Sequence, residues 1–168
     1  MAKGFTLIEL IMVMVLISVV SSLGVGMLSG TQAYDARLVA DQWLTTLRLG
    51  QKLALLRQDA SQLLSFSASQ GGDEWQFTLA QGGSELKRMH LERHGVVLRT
   101  STTDFASHCD SLPQAVFPLV FYLNGYGDHV DASRNQLNSN VRLCFVASQA
   151  IELCISPSGY TYGGSCQP

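Results

Sequence analysis

The sequence predicts an α+β fold: a long amino-terminal α-helix, membrane-spanning in its first half and amphipathic in its second, packed on an antiparallel β-sheet domain. Three observations carry this. From Phe5 to Leu28 every side chain is apolar or small except Thr6 and Glu9. From residue 31 to about Arg57 the apolar residues recur with helical period. Beyond Ser61 the period changes to two, with glycine-rich turns between the alternating runs.

The apolar run spans about 36 Å as a helix, enough to cross a bilayer. Lys3 directly precedes it, and the positive-inside bias sends everything after Leu28 outward. Glu9 stands out, because a carboxylate at mid-bilayer costs about 2.5–3.5 kcal/mol. Ser21-Ser22, Gly24 and Gly26 soften the later part of the run, since each glycine costs about 1 kcal/mol relative to alanine in a helix.

In the second half Arg37, Asp41, Thr45, Arg48 and Lys52 share one face and Ala36, Ala40, Trp43, Leu47 and Ala54 the opposite one. Leu44 and Leu55 widen the apolar stripe on one side and Leu49, Leu53 and Leu56 on the other, a width suited to a sheet.

Trp75, Phe77 and Leu79 alternate with polar residues, Gln81-Gly82-Gly83-Ser84 supplies a turn, and the return runs to Leu91. A strand is expected over Val96–Arg99, then a polar loop from Thr100 to Pro113 that Cys109 can pin. Phe117–Leu123 is a dense apolar strand ending in Asn124-Gly125-Tyr126-Gly127. Val141–Ala147 and Ala150–Ile155 form a hairpin whose second arm ends in Ser156-Pro157-Ser158-Gly159-Tyr160. Parity puts Val141, Leu143, Phe145, Ile151, Leu153 and Ile155 on a core face, and Cys144 and Cys154 on the other with Arg142 and Glu152.

Eleven basic against thirteen acidic side chains leave a net charge of −2, which points neither to nucleic acid nor to an anionic membrane surface. The four cysteines, Cys109, Cys144, Cys154 and Cys166, lie in the segment oriented away from the cytoplasm and read as two disulfides. Cys144 and Cys154 could bridge directly if the loop between the strands adds a residue to the register.

Lys3-Gly4-Phe5-Thr6-Leu7-Ile8-Glu9-Leu10 resembles the processing signature of type IV pilins and of the pseudopilins of type II secretion. The resemblance implies a leader of residues 1–4 cut between Gly4 and Phe5 by a prepilin peptidase, which then methylates the new amine. It further implies a membrane and filament-core helix over 5–30 and a periplasmic globular domain over 31–168 that includes the rest of the helix. The resemblance also implies that inner-membrane lipid holds the subunit first and that an inner-membrane assembly platform then passes it into a surface filament. There the amine of Phe5, helped by Thr6, meets Glu9 of a neighbouring subunit. The two strand-turn-glycine endings are similar to those of minor subunits, so the implied role is a minor pilin of a type IV pilus, such as one of the mannose-sensitive haemagglutinin kind. A minor pseudopilin of type II secretion is the alternative, and a DNA-uptake pilin comes third. Minor pilins often tie the last cysteine back to a strand, which implies Cys144–Cys166 and Cys109–Cys154.

No catalysis and no cofactor are expected. His90, Glu92 and His94 lie in a stretch that reads as strand, where residues four apart are roughly 13 Å from each other and cannot chelate one ion. Ser158 and Ser165 sit in turns without a Gly-x-Ser-x-Gly elbow. Asn124, Asp128 and Asp131 could offer oxygens to calcium, though not at EF-hand spacing. For DNA the one cationic cluster is Lys87, Arg88, Arg93 and Arg99.

Overall fold

The computed structural model describes residues 7–27, 31–57 and 61–167. Two helices come first, α1 (Leu7–Met27) and α2 (Thr31–Arg57). Nine strands follow: β1 (Leu64–Gly71), β2 (Glu74–Gln81), β3 (Ser84–Glu92), β4 (Val97–Ser101), β5 (Leu119–Leu123), β6 (His129–Val130), β7 (Val141–Val146), β8 (Ala150–Ile155) and β9 (Thr161–Gly163). They form two antiparallel sheets where the sequence suggests one, in the orders β3-β2-β1-β5-β6 and β4-β7-β8-β9.

The seam between the sheets lies under α2, and Trp43 fills it. Its indole packs on Phe66 of β1, Trp75 and Phe77 of β2 and Phe145 of β7, with ring centroids 4.8–5.9 Å away. Edge-on and tilted contacts of this kind each add about 0.5–1.5 kcal/mol beyond the area buried. The helix comes close because Ala36, Ala40, Gly50 and Ala54 face the sheets. A Cβ on Gly50 would already sit 3.3 Å from Leu79 Cδ2.

The apolar face of α2 is buried as its periodicity predicts, but Leu55 and Leu56 are exposed and do not widen the stripe. The first of them abuts the turn at Gly127 instead of a strand. The hairpin β2–β3 turns through Gly82 and Gly83, whose φ of +58° and +82° suit a two-residue turn that only glycine enters without cost.

These contacts set the polarity of the domain. Trp43 is level with Trp75, and Gly50 with Leu64, Leu79 and Leu123. The β1–β2 and β3–β4 turns therefore lie toward the start of α2. The Gly82-Gly83 turn and the end of β5 lie toward its carboxyl end.

Both faces of β7 are buried. Leu143 and Phe145 meet α2, while Arg142 and Cys144 lie beneath the 102–113 loop, which the chain crosses with a short 3-10 turn at Cys109–Ser111. Side chains 101–107 preorganise that loop: Ser101 Oγ accepts the N–H groups of Thr103 and Asp104, and Asp104 accepts those of Ala106 and Ser107. The bonds from Ser107 hold the Asp104 carboxyl below its ordinary pKa.

Candidate processing and assembly site

Glu9 lies in the first turn of α1, exposed among Leu7, Ile8, Leu10 and Ile11. Gly4, Phe5 and Thr6, the other residues of the expected cleavage and pairing site, lie outside the described residues, as do Ser29 and Gly30. The helical backbone continues through Gly24 and Gly26 to Met27. Among the described residues no helix is long and apolar enough to cross a membrane, and the run of residues 5–28 extends beyond them at both ends.

Around Leu7–Val20 the helix is apolar on every side, with no polar stripe to face water. This distinguishes it from α2, which has one buried face and one wet face. A helix of the first kind is stable only where apolar material surrounds it.

The disulfides join Cys109 to Cys144 and Cys154 to Cys166, with Cα atoms 5.7 and 5.1 Å apart. Two disulfides were expected, but neither expected pairing occurs. Cys144 stands opposite Glu152 and Cys154 opposite Arg142, so the two cysteines form a diagonal, about 7–8 Å long and beyond disulfide reach. The other diagonal of the same square holds the ion pair of Arg142 Nη2 with Glu152 Oε1 at 2.6 Å. The partners follow from strand order. The 102–113 loop follows β4, which neighbours β7, and therefore reaches Cys144. The tail follows β9, which neighbours β8, and therefore reaches Cys154. Arg142 adds a second tie to the loop by donating to the Ser107 carbonyl at 2.8 Å.

The remaining candidates are absorbed locally. His90 Nδ1 lies 3.3 Å from Glu74 and His94 Nε2 3.7 Å from Glu92, two separate pairs. Asn124 Oδ1 accepts the N–H groups of Tyr126 and Asp128, and its amide donates to Asp128. Asp131 is occupied by Asn135, whose hydrogen bonds lower its pKa. Among the described residues the one metal-like grouping is Cys109, Cys144 and Glu152, two of which form a disulfide. The cationic cluster is dispersed: Arg88 pairs with Glu85, Arg93 donates to the Gly72 carbonyl over the Trp75 ring, and Arg99 donates to the Leu112 carbonyl. Ser158 Oγ lies 2.8 Å from Ser156 Oγ.

The two strand-turn-glycine endings pack so closely that a Cβ on Gly159 would lie 1.9 Å from the Gly127 carbonyl oxygen. The His129 N–H donates to the Pro157 carbonyl at 2.9 Å, and the amide of Gln51 donates to the Ser158 carbonyl at 3.0 Å. Turn chemistry makes each ending readable in the sequence, but nothing local signals that they meet. His129 itself is buried beside Phe121, its Nδ1 without a hydrogen-bond partner, and burial pushes its pKa down.

Compared with known proteins, residues 1–25 match the prokaryotic N-terminal methylation motif. No curated protein and no solved structure matches the chain. The motif implies processing by a prepilin peptidase and assembly with other pilins, and it supports placing the chain in the type IV pilin and pseudopilin family.

Proposed function

We propose that the chain is a minor pilin of a type IV pilus: a structural, non-catalytic subunit held by its amino-terminal helix in the inner membrane, with its disulfide-bonded domain in the periplasm, and later drawn into the surface filament. The observation that carries this reading is the junction Lys3-Gly4-Phe5 with Glu9 in the first turn of an all-round apolar helix. Cleavage after Gly4 creates an amine in the same apolar surroundings as the Glu9 carboxylate. Either charge alone is costly there, and pairing across subunits offsets much of that cost. A minor pseudopilin of type II secretion is the second reading, because the strand-turn-glycine endings at Gly125-Tyr126-Gly127 and Ser158-Gly159-Tyr160 resemble those of minor subunits of either machine.

The test is Glu9→Ala in cells, following cleavage and filament content together. Protein that is cleaved and membrane-resident but missing from filaments is the expected result. Normal incorporation, or wild-type filament subunits that still start at Met1, overturns it.

A further inference from the structure

Outside α1, half of the exposed large apolar side chains on described residues gather at one corner. Leu55 (44% exposed), Leu56 (79%), Tyr126 (78%) and Tyr160 (52%) lie where the carboxyl end of α2 meets the two strand-turn-glycine endings. Contacts on the surface tie them together. Leu55 abuts Gly127, Gln51 donates to Ser158, and the Arg48 guanidinium lies 5.7 Å over the Tyr160 ring. Leu55 and Leu56 share a helix face with Arg48 and the exposed Lys52 at spacings of three and four. Aromatic rings, aliphatic side chains and cations on one rigid corner have the composition of an interface centre.

The opposite end of the domain has the complementary charge. Asp73, Glu74 and Glu92 line a cleft of about 540 Å³ together with His94 and Gly95, formed by the β1–β2 and β3–β4 turns on the side of the domain where α2 begins; Glu74 and Glu92 each have a histidine beside them, and among the described residues Asp73 has none. Two unlike ends on one body make a head-to-tail contact, the kind that leaves an assembly open and extends it as a filament. We propose that the Lys52–Tyr126–Tyr160 corner seats the base of the next subunit, a pilin-type domain presenting carboxylates as the opposite end of this chain does. This rests on the reading of the chain as a filament subunit. Apolar contact with the tyrosines and leucines supplies the affinity, and the Lys52 ammonium facing the carboxylates selects the register.

The experiment treats filaments sheared from cells that make the full-length chain with a zero-length carbodiimide, then maps linked peptides by mass spectrometry. Lys52 is expected in a link to Asp73, Glu74 or Glu92 of a second copy, or to a carboxylate at the base of another pilin. Such a link cannot form within one chain, because the eight-residue β1 separates the two ends by about 25 Å. Leu56→Ser combined with Tyr126→Ser, which keeps the Lys52 amine, is expected to lower both the linked fraction and the filament content about tenfold, with both disulfides still formed. Filaments that contain the chain but show Lys52 unlinked, linked only to its own Asp128, or linked to a protein that is not a pilin overturn this contact alone. A chain absent from filaments altogether overturns the proposed function and the contact with it.

Discussion

Substituting alanine at three glycines should give a graded loss of stability that reads out how tightly the two sheets are locked at their seam. All three have positive φ, +71° at Gly159, +80° at Gly127 and +82° at Gly83, so each alanine bears a left-handed backbone cost of about 1 kcal/mol. They differ in what the new methyl meets. At Gly159 it lies 1.9 Å from the Gly127 carbonyl oxygen and 3.1 Å from Leu123 Cδ2, so a backbone has to move. At Gly127 it lies 3.2 Å from Leu55, an exposed side chain that can swing aside, and at Gly83 nothing is within 4 Å. Overpacking against an unyielding wall costs about 1–3 kcal/mol, which places Gly159→Ala at about 2–4 kcal/mol and Gly83→Ala at about 1. Gly127→Ala should fall between. Urea unfolding of the oxidised, detergent-solubilised chain, followed through the buried Trp43 and Trp75, measures all three. Equal losses at Gly159 and Gly83 would refute the claim that the turns are in backbone contact.

Three further outcomes follow from the same structure. Removing Cys109–Cys144 as a double serine variant should cost about 3.8 kcal/mol and removing Cys154–Cys166 about 2.8, because the loops they close differ in length, with separations of 35 and 12 residues; peptide mapping without reduction should find these two pairs and no others. Arg142→Met should cost about 3–5 kcal/mol, since it leaves Glu152 without its buried partner and frees Ser107, whereas Arg37→Met at the exposed pair with Asp41 should cost less than 1, and comparable losses would overturn the distinction. His129 is neutral in the fold because burial lowers its pKa, so stability should be full above the unfolded value near 6.5 and fall below it by up to about 1.4 kcal/mol per pH unit, a slope that His129→Leu should abolish in urea midpoints between pH 7.5 and 5.

The helical half of the fold was legible because its signal is long. Twenty-seven residues of α2 repeat their apolar period often enough that the helix as far as Arg57 and the buried set Ala36, Ala40, Trp43, Leu47 and Ala54 follow from spacing alone. The β2–β3 and β7–β8 hairpins were legible from their period of two, the first with a glycine turn added at Gly82-Gly83. What escaped was either weakly hydrophobic or very short. Strand β1 alternates Leu64, Phe66 and Ala68 with Ser65, Ser67 and Ser69, a pattern of period two in residues of low strand propensity, yet it lies at the centre of its sheet. Strands β6 and β9 have two and three residues and no periodicity to read. The division into two sheets and the disulfide pairing depend on strand order, which is a long-range property. Parity put Cys144 and Cys154 on one face with Arg142 and Glu152, but only the neighbours of β7 and β8 decide where each cysteine turns.

A single change in burial pattern along the amino-terminal third separates assembly from folding. Up to Val20 the described side chains of α1 are apolar on all sides apart from Glu9 and Ser18, and all are exposed, so substitutions there leave the core around Trp43 untouched. From Ala36 on, one apolar face is buried by the two sheets, and Leu38, Leu55 and Leu56 lie exposed outside it. The first segment therefore depends for its stability on surroundings that other molecules supply, lipid or neighbouring helices, while the second obtains its own from β1, β2, β7 and β8. A polar substitution such as Val13→Asn should accordingly reduce membrane retention and filament content without moving the urea midpoint of the domain, and Trp43→Ala should do the reverse first, costing about 3–5 kcal/mol of domain stability. If Val13→Asn lowered the midpoint as Trp43→Ala does, the two halves would share one folding unit and this division of roles would be wrong.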